Sequence, residues 1–82
     1  MLPDKMDLEH YFICTGFFDL LPLARQIAQK MRFEKNEMIE AICKLADKCR
    51  EYPPTANRTA WFAKVYREKL LEARADIKTR HQ

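Results

Sequence analysis

The sequence predicts an all-α fold, a compact bundle of about four helices joined by short loops. Apolar residues recur at steps of three and four along most of the chain, which is the spacing of one helix face. The 82 residues include a single glycine, Gly16, and no segment with the alternation of a strand. A content of 48% hydrophobic and 33% charged residues is typical of one folded domain, covering residues 1–82.

The last helix, predicted at 57–78, has the clearest pattern. Thr55 or Asn57 can cap its start through a side-chain oxygen. The segment Tyr52-Pro53-Pro54 ends the preceding helix, because a residue before proline is pushed out of the helical region. One stripe of the last helix is apolar, and we expect these residues in the core: Phe62, Val65, Tyr66, Leu70, Ala73 and Ile77.

Three shorter helices are predicted earlier in the chain, at about 4–14, 19–31 and 34–50. Asp4 can cap the first of them, and Gly16 can end it. Asp19 can cap the second, since Pro22 then falls in the first turn, where a missing amide proton costs little. A break at Arg32 leads into the third helix.

The segment from Leu23 to Leu45 resembles a helix-turn-helix, because two apolar helical stretches flank a short break. Arg32, however, stands where the turn of that motif usually carries glycine. The would-be recognition helix also carries three carboxylates, Glu34, Glu37 and Glu40, which would oppose a phosphate backbone. We therefore interpret this weakly helix-turn-helix-like middle as a generic pair of packed helices.

The net charge of +3 is concentrated in the last helix. From Arg58 onward the chain has seven Lys and Arg residues against three acids, whereas residues 1–57 have eight against nine. Such a surface can contact nucleic acid or an acidic protein. A nucleic-acid-associated subunit is therefore an alternative, although alternation with acids weakens a continuous basic stripe. The bases that would contact phosphates are Arg58, Lys64, Arg67, Lys69, Arg74, Lys78 and Arg80.

Cysteine and histidine residues give little support for a metal site. His10 and Cys14 are four residues apart and can share a helix face, and Cys43 and Cys49 could complete a set of zinc ligands. The six-residue step between the last two separates their side chains by about 240° on a helix. We interpret Cys43 and Cys49 as small buried hydrophobic residues and expect no metal and no cofactor.

We do not expect an enzyme. The pair of Cys14 and His10 lacks a third group that would orient the histidine, and nothing nearby suggests an oxyanion hole. The chain has no phosphate-binding glycine loop, and a bundle of this size has little room for an enclosed pocket. Carboxylate pairs such as Glu68 and Glu72 are explained by solvation. A zinc-dependent or thiol enzyme is the remote alternative.

Aromatic residues near two connections favour a role in protein binding. Trp61 and Phe62 are adjacent, so if Phe62 lies in the core, Trp61 lies at its border or is exposed beside Arg58. Phe17 and Phe18 raise the same question. Aromatic and arginine side chains dominate interaction hot spots. We therefore predict a regulatory or architectural module that docks on a partner protein, with a homodimer through the last helix as a second prediction. The predicted docking residues are Phe17, Phe18, Arg58 and Trp61.

The expected location is the cytoplasm. Asp4, Asp7 and Glu9 interrupt the opening stretch, unlike in a secretory signal. No apolar run approaches the roughly 20 residues that span a bilayer, so no membrane association is expected. Three cysteines, an odd number, fit a reducing compartment better than a disulfide framework.

Overall fold

The computed structural model describes residues 7–80, with side chains for residues 7–79. A short 3₁₀ turn at Phe18–Leu20 precedes the second helix. No strand occurs within residues 7–80, and the predicted small all-α bundle is confirmed. Within this range the helices are α1 (Leu8–Thr15), α2 (Leu21–Met31), α3 (Lys35–Glu51) and α4 (Arg58–Arg80).

The two long helices α3 and α4 form the centre of the bundle. They make the largest helix contact, while α1 packs on α3 and α2 packs on α4. Ion pairs join Glu37 to Arg74 and Lys48 to Glu68, so α3 and α4 run antiparallel. The predicted α4 stripe is buried except for Ile77, which is half-buried. The largest fully buried side chains are Phe12, Ile42, Leu45, Phe62, Tyr66 and Leu70.

Helix α1 begins at Leu8, later than the predicted start, because Asp7 caps it. The Asp7 carboxylate accepts the backbone N–H of Leu8 at 2.7 Å. In return, Nδ1 of His10 accepts the backbone N–H of Asp7 at 3.3 Å, which completes a capping box. Asp4, the predicted cap, lies outside the described residues.

Helix α2 begins at Leu21 rather than after a cap at Asp19. Asp19 lies inside the 3₁₀ turn, and its carboxylate forms an ion pair with Arg58 instead. No side chain caps α2, and Pro22 lies in its first turn as predicted. The sequence pattern could not reveal this difference, because the competing partner lies far along the chain.

The other predicted boundaries agree closely with the structure. Helix α3 ends at Glu51, directly before the Tyr52-Pro53-Pro54 segment. The Asn57 side chain accepts the backbone N–H of Ala60 at 2.9 Å and so caps α4. Local signals, proline and a capping side chain, were sufficient here.

The segment that resembles a helix-turn-helix has the expected short turn but different packing. Arg32 adopts φ 61°, the left-handed conformation that glycine usually supplies at such a position. Helix α2 makes its main helix contact with α4, however, and α3 makes its contacts with α4 and α1. Consecutive helices in this segment are therefore not each other's principal partners.

No helix within residues 7–80 has both the length and the apolar composition needed to cross a lipid bilayer. The longest helix, α4, carries bases and acids along its whole length.

Candidate functional site

Arg58 is the first residue of α4, and its side chain binds the connection between α1 and α2. Its guanidinium lies 4.7 Å from the centre of the Phe17 ring. It donates hydrogen bonds to the Gly16 carbonyl at 2.8 Å and to the Asp19 carboxylate at 2.7 Å. Gly16 ends α1 with φ 85°, and the backbone N–H of Phe17 donates to the Phe12 carbonyl, as in a Schellman motif. We call Gly16, Phe17, Asp19 and Arg58 the first arginine clamp.

Arg74 fastens α4 to the next connection, between α2 and α3, in the same way. Its guanidinium lies 3.9 Å from the centre of the Phe33 ring and donates to the Arg32 carbonyl at 2.6 Å. It also makes two hydrogen bonds to the Glu37 carboxylate, at 2.8 Å and 3.3 Å. The backbone N–H of Phe33 donates to the Ala28 carbonyl at 2.8 Å. We call Arg32, Phe33, Glu37 and Arg74 the second arginine clamp.

The two clamps share one design that was not recognised in the sequence. In each, a left-handed residue ends a helix, a buried phenylalanine follows it, and an arginine of α4 binds the carbonyl of the left-handed residue. The arginine follows that residue by 42 positions in both clamps. The pairs Gly16-Phe17 and Arg32-Phe33 indicate helix ends in the sequence. The sequence does not indicate that Arg58 and Arg74, 42 positions further along, bind there.

The first clamp determines what remains of the predicted docking surface. Phe17 is buried, with 4% of its surface exposed. Trp61 is half-buried, and its ring stacks on Phe17 at 6.4 Å between centres with an interplanar angle of 17°. Arg58 is engaged in the clamp. Phe18 is 50% exposed, so it is the predicted docking residue with the most accessible aromatic surface.

The seven bases predicted to contact phosphates differ in how the packed bundle uses them. Arg58 and Arg74 belong to the clamps, and Lys69 pairs with Glu72 at 3.0 Å. The Arg80 side chain lies outside the described part of the chain. The remaining bases are exposed, and among the described side chains none forms an ion pair or hydrogen bond with them: Lys64, Arg67 and Lys78.

A shallow groove of about 380 Å³ lies between the C-terminal part of α3 and the middle of α4. Three of its lining residues are lysines, which each form an ion pair, and Lys44 pairs with Asp76 at 2.7 Å. This pairing raises the pKa of Lys44, because a hydrogen bond to a carboxylate favours the charged amine. The positive and negative charges that line the groove therefore cancel, and the groove has no strong preference for an anion.

The predicted metal ligands are dispersed over the bundle. His10 is exposed and belongs to the α1 cap, Cys14 and Cys43 are exposed, and Cys49 is half-buried. Within residues 7–80, no three His, Cys, Asp or Glu side chains come close enough to hold a metal ion. Cys43 is more exposed than expected, yet partial burial and nearby carboxylates raise the pKa of its thiol. A raised pKa leaves little reactive thiolate at neutral pH.

Comparisons with known proteins identify no relative of this chain. No protein-family model matches it, and no curated protein or solved structure is significantly similar to it.

Proposed function

We propose that this protein is a non-enzymatic helical module, regulatory or architectural in role, that docks on a partner protein through the surface around Phe18. The observation that carries this proposal is the 50% exposure of the Phe18 ring beside the first arginine clamp. Aromatic side chains supply much of the binding energy at protein interfaces, because they bury a large area at a small entropic cost.

The first arginine clamp supports Phe18 as an anchor because it restrains the backbone on both sides of this residue. Arg58 binds the Gly16 carbonyl before Phe18 and the Asp19 carboxylate after it. The neighbouring Phe17 is held in the core. A backbone segment that is already restrained loses little conformational freedom on binding, so more of the contact energy contributes to affinity.

The test is affinity capture from the native cell extract with the wild type and the Phe18→Ala variant, with nuclease and at two salt concentrations. We expect a protein partner that survives nuclease and salt and is lost with Phe18→Ala. The matched control is Tyr52→Ala, since Tyr52 is an aromatic residue with 66% exposure at the end of α3. Equal capture by wild type and Phe18→Ala, or equal loss in both variants, would contradict the proposal.

Contact with nucleic acid through α4 is the second candidate function. It is supported by the three exposed bases without an ion pair in the described part of the chain. Three phosphate contacts predict binding that does not depend on DNA sequence. The logarithm of the binding constant should fall with the logarithm of the salt concentration at a slope of about −3. A titration of a labelled DNA duplex at several salt concentrations measures this slope, and duplex binding that is absent or insensitive to salt would contradict it.

We place this module in the cytoplasm as part of the same proposal. Its three cysteines, Cys14, Cys43 and Cys49, are all free thiols, and thiols persist in a reducing compartment. Labelling of these thiols in intact cells with a membrane-permeant reagent tests this location.

A further inference from the structure

One face of α4 points away from the bundle and carries bases around an exposed apolar residue. At about 100° of rotation per residue, Lys64, Arg67, Leu71 and Lys78 share a sector of about 60°. Leu71 is 56% exposed, and the three bases are exposed. We call these four residues the outward face of α4. It extends about 21 Å along the helix at 1.5 Å per residue.

The acids of α4 lie to one side of this face, on the side where α4 packs against α3. The Glu68 carboxylate lies 3.7 Å from the Lys48 amine, and Asp76 pairs with Lys44. Glu72 pairs with Lys69. The alternation of bases and acids along the sequence therefore becomes a separation of charge around the helix, and the outward face stays positive.

We infer that the outward face of α4 binds an acidic segment of a partner protein, with an apolar side chain of that segment packed on Leu71. Charge complementarity selects the carboxylates of such a segment, because Lys64, Arg67 and Lys78 form no ion pair among the described residues. The charge of Lys78 does act on the Glu37 carboxylate of α3, but that carboxylate already pairs with Arg74. The exposed Leu71 gives the apolar contact at the centre of the face. This surface is separate from Phe18, so the inference stands or falls independently of the proposed function.

Two other occupants fit this face less well. A second copy of the chain would bring the same three bases against each other, and like charges oppose such a contact. A phosphate backbone would match the bases but would leave Leu71 without an apolar partner. The apolar centre therefore favours a protein segment over nucleic acid.

The test uses three fluorescent probes at low ionic strength with fluorescence anisotropy as the readout. The first is a helical peptide rich in glutamate with leucine at every fourth position, the second has alanine in place of leucine, and the third is a DNA duplex. We expect the leucine peptide to bind the wild type about tenfold more tightly than the alanine peptide, because it buries one leucine contact.

Variants locate the site on the outward face. Leu71→Ala should remove the preference for the leucine peptide, and Arg67→Glu should weaken both peptides. The matched controls lie elsewhere and should bind like the wild type: Ile13→Ala, at a residue with 57% exposure, and Arg50→Glu, at an exposed arginine of α3. The inference is overturned if neither peptide binds, if the duplex binds more tightly than both, or if the control variants lose binding equally.

Discussion

Tyr66 is the largest fully buried side chain of the core, and its hydroxyl has no hydrogen-bond partner among the described residues. Its ring packs against Phe62 at 5.1 Å and Phe12 at 6.2 Å between centres. Burial raises the pKa of Tyr66, because the phenolate would lose its solvation in this apolar setting. The ring stabilises the core while the hydroxyl opposes folding.

The Tyr66→Phe variant should therefore be more stable than the wild type. Removing a buried hydroxyl without a partner restores about 1 kcal/mol to the free energy of unfolding. Urea unfolding followed by circular dichroism measures the change, and Tyr52→Phe, at an exposed position, should leave the stability unchanged. A clear loss of stability in Tyr66→Phe would show that the hydroxyl has a favourable contact.

Arg32, like Tyr66, is a residue type that is unfavourable at its position in the fold. Its backbone adopts φ 61°, which is unfavourable for a residue with a Cβ atom. The second arginine clamp uses its carbonyl, and its own side chain is exposed. The arginine side chain is thus not needed for the contact that holds this turn.

The Arg32→Gly variant should gain about 0.5 to 1 kcal/mol in the free energy of unfolding, because glycine adopts this conformation without strain. The converse change at the first clamp, Gly16→Ala, should cost about 1 kcal/mol. Gly16 has φ 85° with open space where a Cβ atom would be, so strain alone is at work there. Thermal unfolding of both variants checks the pair, and a shift of the same sign in both would be inconsistent with this explanation.

At the level of helices, the arginine clamps hold the connections between helices against α4, whereas hydrophobic packing holds the helices together in the core. Each clamp joins α4 to the end of one helix and the start of the next, through a guanidinium stacked on a phenylalanine ring. Arginine suits this role better than lysine, because its planar group can stack and donate several hydrogen bonds at once. In the second clamp, Glu37 is the least exposed acid of any described ion pair.

The second clamp should make stability depend on pH. The hydrogen bond from Arg74 lowers the pKa of Glu37 below its ordinary value. The pKa of Glu37 is lower in the folded than in the unfolded chain. The ion pair therefore makes its full contribution to the free energy of unfolding above the ordinary pKa of about 4.3, and it loses this contribution as the pH falls through the pKa of the folded state. The stability difference between wild type and Glu37→Gln should therefore be largest at neutral pH and shrink below about pH 4.

Urea unfolding between neutral and acidic pH measures this difference. The control is Glu51→Gln, since Glu51 is exposed and has no ion pair among the described residues. Its stability difference from the wild type should stay constant with pH. A constant difference for Glu37→Gln as well would mean that the ion pair with Arg74 does not stabilise the fold.

At the scale of the whole molecule, the charge of α4 bears on its oligomeric state. The apolar stripe of this helix is used in the core, and its outward face carries like charges. The homodimer through α4 that the sequence pattern favoured would therefore have to overcome repulsion, so the packed structure leads us to expect a monomer at micromolar concentrations instead. Sedimentation equilibrium at low and high salt measures the mass, and a dimer at low salt would contradict this expectation.

The helices and their inward faces could be predicted closely from the chain alone. Proline at Pro53, the cap at Asn57 and the spacing from Phe62 to Ala73 act within a few residues, so the sequence shows them directly. The start of α1 differs from the prediction because Asp7, and not Asp4, is the cap, and the start of α2 differs because one acid could serve two partners. Asp19 could cap a helix or pair with an arginine, and only the folded chain brings Arg58 to it.

The candidate surfaces were harder to predict than the fold. Phe17, Trp61 and Arg58 were expected to meet a partner, but they contact one another and the Gly16 carbonyl. Leu71 was not singled out, although its exposure follows from the same helical spacing that places Phe62 in the core.

Local order in this protein follows from local sequence, since hydrogen bonds within a helix and its caps join residues no more than five positions apart. The clamps join residues 42 positions apart, and the pairing of α4 acids depends on how α3 lies across α4. Which side chains remain free for a partner is therefore a property of the packed bundle. Packing engages Arg58 and Arg74 in the clamps and leaves the outward face of α4 and Phe18 exposed.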